Sequence, residues 1–253
     1  MMLRIGRLLG VLFGLVGLWQ CIVWMTGAAH FILPSPSHVA AAWLRYDILI
    51  LTHSITTATE IILGLLSGAV LGIVSALSLA YFRPARLWLM PVLVASQAIP
   101  VFALAPILVL WLGYGMVSKI AMAMLIIYFP VTTAFYDGLR RADPGLLELA
   151  QTMSAGRWAT LCHVRVPGAL PALASGLRVA TAVAPIGAVV GEWVGSSAGL
   201  GHFMLLSNAR MQVDVMFAAL VTLAVLSVTL YSIVDTLLRR MIPWSPDTHP
   251  ADD

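Results

Sequence analysis

The chain has 253 residues, of which 60% are apolar and only 10% are charged. An average soluble domain carries about 25% charged residues, so this composition excludes an ordinary soluble enzyme and a disordered chain. The net charge of +3 is too small to mark a surface that binds nucleic acid. A membrane protein is the class that remains.

Apolar stretches long enough to cross a bilayer recur along the sequence. The hydrocarbon core is about 30 Å thick and takes about 20 apolar residues in a helix. The first stretch is longer than the apolar core of a signal peptide, so we expect a retained span there. The fold class expected is all-α, with residues 1–253 forming one membrane domain. Six transmembrane helices are predicted, at about 8–27, 55–82, 87–112, 118–137, 172–194 and 215–238.

Arginine and lysine are distributed unequally between the connecting segments. Cytoplasmic loops carry the excess of these residues in membrane proteins. With the N-terminus inside, three cations fall on the outer side, namely Arg45, Lys119 and Arg210. Eleven fall on the inner side: Arg4, Arg7, Arg83, Arg86, Arg140, Arg141, Arg157, Arg165, Arg178, Arg239 and Arg240. We therefore expect both termini, including a tail at about 239–253, to lie in the cytoplasm.

Polar residues within the spans are the candidates for a translocation path. Glu60 lies early in the second span, where we expect it to stay hydrated near the outer boundary, and Glu192 lies beside Trp193 near the outer end of the fifth. Charges at membrane depth are costly and indicate function, although either acid could instead only pair with a neighbouring helix. Gln97 and Pro100 mark an interruption of the third span, which could border a cavity or be a simple kink.

A glycine repeat occupies the second span at Gly64, Gly68 and Gly72. Small residues at this spacing let two membrane helices approach closely. The repeat therefore predicts a packing face.

Patterns that indicate catalysis are missing from the sequence. Its single lysine, Lys119, stands between Ser118 and Ile120, whereas a phosphate-binding P-loop needs Gly-Lys-Ser or Gly-Lys-Thr. The histidines and cysteines show no spacing typical of a metal site or a nucleophile. We expect no catalytic residue, no metal and no cofactor in this chain.

The inner segment 138–171 has two short predicted helices. Asp143 and Pro144 are typical of a helix start, and Leu146, Leu147, Ala150 and Met153 fall near one face. A turn at 154–156 leads to a second helix, which has Trp158, Leu161 and Cys162 on one side. We expect Pro167 to end this helix and Pro171 to mark the approach to the next span. Exposed apolar groups on a charged loop indicate a docking surface or a helix lying on lipid headgroups, and the periodicity does not separate the two.

The same segment resembles the EAA loop of ABC importer permeases. Glu148, Ala150, Ala155, Pro167 and Pro171 match that pattern in register. There are two departures. Leu149 replaces an alanine, and Ser154 replaces the usual glycine, with Gly156 two positions on, so we expect a slightly shifted turn.

Motifs elsewhere extend the resemblance to nearly the whole chain. They resemble the branch that includes sulfonate, taurine, nitrate and pyrimidine-precursor permeases. The motifs are Leu33-Pro34-Ser35-Pro36-Ser37, Ile99-Pro100, Ala105-Pro106, the run 191–195 (GEWVG) and the run 199–201 (GLG).

The resemblance implies the transmembrane domain of a type I ABC importer in a bacterial inner membrane. A separate subunit would bind ATP and Mg²⁺, an extracytoplasmic protein would deliver the solute, and two copies of this chain would form the pathway. The implied coupling residues are Glu148, Ala150, Met153, Ser154, Ala155, Gly156, Trp158, Leu161, Pro167 and Pro171.

The solute implied by resemblance is hydroxymethylpyrimidine, a thiamine precursor. The stretch 185–193 and the tail with Trp244 are most similar to permeases for that compound. Riboflavin, sulfonate, taurine and nitrate are alternatives; a sulfonate would favour an arginine in the path, for which Arg178 is the nearest candidate. An alternative of another class is a proton-coupled secondary transporter that uses Glu60 and Glu192. A membrane scaffold is a third.

Overall fold

The computed structural model describes residues 2–244, without the side chains of residues 2–9, Leu12, Val94, Gln97 and Ala98. Regular structure in this range is entirely helical. The helices are α1 (Met2–Thr26), α2 (Pro36–Arg45), α3 (Asp47–Tyr81), α4 (Arg83–Ala98), α5 (Val101–Leu112), α6 (Met116–Arg140), α7 (Pro144–Thr152), α8 (Arg157–Thr160), α9 (Val166–Gly195), α10 (Leu200–Ala209) and α11 (Val213–Met241). A π-helical turn, Leu161–Arg165, joins α8 to α9.

Four of the described helical runs are long and apolar enough to cross a membrane: α3, α6, Arg157–Gly195 and α11. Phe13–Thr26 of α1 and the whole of α5 are shorter apolar helices. The predicted second span begins at Asp47, eight residues earlier than expected. In this added part, Ile50 is buried with Leu200 and Phe203 of α10, and the His53 ring stacks on Phe203. The predicted tail also begins later, since α11 continues through Met241, and residues 245–253 lie outside the described range.

The predicted third span is two helices, α4 and α5. They meet at Ile99 and Pro100, where Ile99 is extended, with φ −87° and ψ 119°. Proline lacks an amide hydrogen and disfavours the helical conformation in the residue before it. The interruption expected from the sequence is thus confirmed, and it separates two helices rather than kinking one.

The packing centre is α6, which lies between α3 and α9. The glycine repeat of α3 forms the first contact, because a Cβ atom at Gly64 would lie 2.5 Å from the Ala123 Cβ and one at Gly68 would lie 2.7 Å from Ile127 Cγ2. On the other side, a Cβ atom at Gly187 would lie 2.7 Å from the Ala123 Cα. The packing face predicted from Gly64, Gly68 and Gly72 is therefore confirmed.

Pro167 does not end a helix, contrary to the sequence prediction. It occupies the first turn of α9, and Pro171 lies inside that helix. The preceding π turn, in which the Val166 amide donates to the Leu161 carbonyl, widens the helix ahead of the proline ring. A π turn relieves the clash that proline makes with the carbonyl four residues earlier. The chain therefore runs as one bent helical path from Arg157 to Gly195.

Candidate functional site

Helix α7 begins as the sequence predicts. The Gly145 amide donates to Asp143 Oδ1 at 2.7 Å, and Pro144 occupies the first helical position. The carboxylate satisfies a backbone donor that the helix leaves unpaired, and proline has no amide hydrogen to satisfy there.

Helix α7 ends in a tight turn centred on Ser154. Ser154 has φ 55°, in the left-handed region. The Ser154 amide donates to the Gln151 carbonyl and the Ala155 amide to the Ala150 carbonyl, each at 2.9 Å, which together form a Schellman motif. Gly156 has φ −64° and plays no part in the reversal. The turn thus stays at the position where glycine is usual, and the expected shift is not seen.

The apolar residues of α7 divide between two faces, where the sequence predicted one. Ala150 is buried and Leu147 is half-buried, whereas Leu146, Leu149 and Met153 are exposed. We name the exposed residues Leu146, Glu148, Leu149 and Met153 the docking face. Met153 is 74% exposed, and among the described residues no basic group pairs with the Glu148 carboxylate.

The other predicted coupling residues differ in exposure, and not all of them are available for docking. Trp158 is 63% exposed, and its ring makes an edge contact with the Tyr81 ring at 5.7 Å. Leu161 is buried against α3 and α6 residues in the core cluster that includes Leu79 and Phe135. Leu161 therefore anchors the segment to the bundle and is not available for docking. The remaining predicted residues are Ser154, Ala155, Gly156 and Pro167, which are exposed, and Pro171, which is half-buried.

A second polar site lies within the bundle, between α3, α6 and α9. The Lys119 Nζ lies 2.8 Å from Glu60 Oε1, and the exposed fractions of the two side chains are 7% and 0%. The second oxygen of Glu60 has no hydrogen-bond partner, and the carboxyl group of Glu192 is close by. The expectation that Glu60 stays hydrated is therefore wrong: the close packing of α3 on α6 excludes water from it.

Glu192 holds the start of α10. The Thr57 hydroxyl donates to Glu192 Oε1 at 2.6 Å, and the backbone amide of Gly201 donates to Glu192 Oε2. The Leu200 amide donates to the Thr57 hydroxyl oxygen at 2.8 Å. A carboxylate at this position satisfies one free amide of α10 directly, orients the Thr57 hydroxyl that satisfies another, and matches the sign of the helix dipole.

Glycine is required where α10 begins. Gly199 has φ 107°, and a Cβ atom at Gly201 would lie 2.8 Å from Glu192 Oε2. The Gly199 amide donates to His53 Nδ1 at 2.9 Å, and the His53 ring stacks on Phe203 with ring centres 4.9 Å apart. The start of α10 is thus tied to α3 by the amides of Gly199 and Leu200 and to α9 by the amide of Gly201.

The structure does not bring the predicted path residues together on one surface. Glu60 and Glu192 are fully buried, Trp193 is 44% exposed, and Pro100 is exposed at the α4–α5 break. The Gln97 side chain lies outside the described residues. Arg178, the candidate for an anionic solute, is engaged by Asp235, whose Oδ1 lies 2.6 Å from its Nε.

Sequence reasoning missed the partners of the two acids. Lys119 was assigned to the outer loops, and the roles of Thr57 and His53 were not foreseen. A usable signal was present: Lys119 is the sole lysine of the chain and lies in an apolar helix, where an unpaired cation is costly.

Comparison with known proteins identifies the family. Residues 68–243 match the family described as binding-protein-dependent transport system inner membrane component. The chain belongs to this family. Membership makes it the permease subunit of an ABC importer and implies an ATP-binding partner subunit and a solute-binding protein.

Relatives with different solutes match almost the whole chain. The probable ABC transporter permease protein of Haemophilus influenzae is 54% identical over 91% of this chain and 94% of its own. The formylaminopyrimidine transport permease protein ThiX of Halalkalibacterium halodurans is 36% identical over 91% of this chain and 92% of its own length. The riboflavin transport system permease protein RibX of Chloroflexus aurantiacus is 37% identical over 89% of this chain and 85% of its own length.

Solved structures confirm the fold. An inward-facing conformation of the MetNI methionine ABC transporter superposes with a TM-score of 0.67. The match covers 78% of this chain and 97% of that one, at 20% identity. The all-α fold of a type I ABC importer transmembrane domain, expected from the sequence, is therefore confirmed.

Proposed function

We propose that the docking face of this permease seats in a groove of the separate ATP-binding subunit and transmits its closure to the spans. The observation that carries the proposal is the exposure of Leu146, Leu149 and Met153 beside an unpaired Glu148 carboxylate. Apolar side chains supply contact area in an interface core, and a charged hydrogen bond adds orientation.

Rigid attachment is what would allow the docking face to transmit force. Leu161 is buried in the core cluster with α3 and α6 residues. A short Schellman turn joins α7 to Arg157, and from Arg157 the helical path continues through the π turn into α9. A push on α7 would therefore move α9, which carries Glu192 at its far end.

We infer that two copies of this chain form the pathway and that both termini are cytoplasmic. The family resemblance and the excess of arginines in the segments placed on the inner side support this arrangement. Among the predicted path residues, Trp193 and Pro100 have the exposure needed to line the pathway. Glu60 and Glu192 would act behind that surface, through the positions of α6 and α10.

We propose a neutral pyrimidine precursor of thiamine as the solute. The relative that transports formylaminopyrimidine supports this choice, and the riboflavin relative of similar identity makes riboflavin the main alternative. Arg178 is occupied by Asp235, and this pairing leaves no free cation there for a sulfonate.

The test is uptake into proteoliposomes that contain the complete importer with its binding protein. With ATP inside, we expect labelled hydroxymethylpyrimidine or formylaminopyrimidine to accumulate, and riboflavin, taurine and nitrate not to. Accumulation of riboflavin alone would contradict the pyrimidine assignment and leave the permease assignment intact.

The proton-coupled alternative depends on Glu60 and Glu192 exchanging protons with the path. Both carboxyl groups are buried, and both oxygens of Glu192 are hydrogen-bonded. The same vesicles test it: uptake driven by a proton gradient without ATP would support this alternative against our proposal.

A further inference from the structure

A cavity of about 410 Å³ lies beneath α7, at the end of the bundle that carries the docking face. It is bordered by the end of α3, the start of α4, the inner face of α7 and the path from α8 into α9. Four arginines line it, Arg83 and Arg86 from one side and Arg157 and Arg165 from the other.

The four guanidinium groups are not paired with carboxylates of the part of the chain that the structure describes. None of them has a described carboxylate within ion-pair distance, and the cavity lining includes no acid. Like charges that share one cavity repel each other, and an anion between them would remove that repulsion.

The neutral groups of the lining also suit an oxyanion. Gln151 brings an amide and Tyr81 a phenol to the same cavity, and both can donate hydrogen bonds. Arginine binds phosphate oxygens through two parallel N–H groups, and this geometry favours phosphate over a small halide.

Exposed apolar residues follow Arg83 and Arg86 along α4. Leu87, Trp88 and Val92 are 65%, 80% and 61% exposed, and Leu87 lies one helical turn after Arg83. This arrangement suits a phospholipid, with the headgroup at the arginines and the acyl chains along α4. Basic pockets between spans are known sites for anionic lipid headgroups.

We propose that this cavity binds a phosphate group, supplied by an anionic phospholipid headgroup or by free phosphate. Leu147 and Gln151 of α7 share the cavity with Arg83 and Arg86 of α4. The bound anion would therefore tie α7 to the start of α4. If the ligand is a lipid, its assignment to the inner leaflet rests on the orientation proposed above. Binding of the phosphate group in the cavity does not depend on that orientation.

The experiment measures lipid binding to the purified full chain in detergent by native mass spectrometry. The probes are phosphatidylglycerol, phosphatidylcholine and inorganic phosphate. We expect the wild type to prefer phosphatidylglycerol. The double variant Arg83→Gln/Arg86→Gln and the single variant Arg157→Gln should lose this preference, by about fivefold for each arginine removed.

The matched control is Arg141→Gln, an exposed arginine at the same end of the bundle that does not line the cavity. It should leave the preference unchanged. Retention of phosphatidylglycerol in excess inorganic phosphate supports the site and assigns it to the lipid headgroup. Displacement by phosphate, with the same dependence on Arg83 and Arg86, supports the site and assigns it to free phosphate.

Two results would overturn the proposal. One is an unchanged lipid preference in both cavity variants, or a loss in Arg141→Gln equal to theirs; an equal loss would mean that the arginines act only as general surface charge. The other is that the cavity variants keep a normal lipid preference but lose the ATP-binding subunit from the purified complex. That result would assign the arginines to carboxylates of the partner, and it can be told apart from failure of the docking face by testing Glu148 separately.

Discussion

Lys119 of α6 and Glu60 of α3 form an ion pair of 2.8 Å between two closely packed spans. Both side chains are buried, so neither charge can be satisfied by water when the other is removed. The close contacts at Gly64 and Gly68 set the rotation of α3 against α6, and in that rotation the two groups meet.

Removal of one partner should therefore be much more harmful than removal of both. We expect Lys119→Met to destabilise the protein by about 3–5 kcal/mol, because it leaves a buried carboxylate unpaired. The double variant Lys119→Met/Glu60→Leu should recover most of the loss. Thermal unfolding in detergent measures both, and a single variant as stable as the wild type would contradict the importance of the pair.

Thr57 should protect the start of α10. Thr57→Val removes the donor to Glu192 and the acceptor of the Leu200 amide, leaving a buried amide unsatisfied at a cost of about 1–3 kcal/mol. Hydrogen exchange at Leu200 and Gly201 should become faster. Thr59→Val is the matched control, because the Thr59 hydroxyl bonds only its own helix, at the Ile55 carbonyl. Equal exchange in the two variants would disprove this role.

The glycine repeat of α3 should not tolerate a methyl group. In Gly64→Ala the new Cβ would lie 2.5 Å from the Ala123 Cβ, and overpacking of this kind costs about 1–3 kcal/mol. Gly17→Ala in α1 should cost nothing, because no atom lies within 4 Å of the new Cβ. Melting temperatures of the two variants test the difference, and equal values would argue against close α3–α6 packing.

Glu148 should couple ATP hydrolysis to transport. We expect Glu148→Ala to reduce uptake and Glu148→Lys to abolish it, because reversal of the charge opposes the partner's groove, while ATP hydrolysis by the complex continues. Asp137→Ala is the control, since Asp137 is also exposed near this end of the bundle. Normal ATP-driven uptake by Glu148→Lys would show that the docking face has been assigned wrongly.

Local chemistry made the start of α7 predictable from the sequence, because Asp143 and Pro144 form the cap that their residue types favour. The end was predictable only as a turn within 154–156. The structure places the reversal at Ser154, which has a positive φ although it is not glycine. The class of protein, the apolar stretches and the family resemblance were likewise accessible, because hydropathy and short motifs are properties of contiguous residues.

Only the tertiary structure decided how the polar residues of different spans are partnered. Hydropathy locates Glu60, Lys119 and Glu192 along their helices but says nothing about rotation about the helix axis, which packing of the small residues determines. The same applies to Pro167, which the sequence treats as a helix end. Its ring is accommodated by a π turn that the surrounding bundle stabilises, with Leu161 buried at its start.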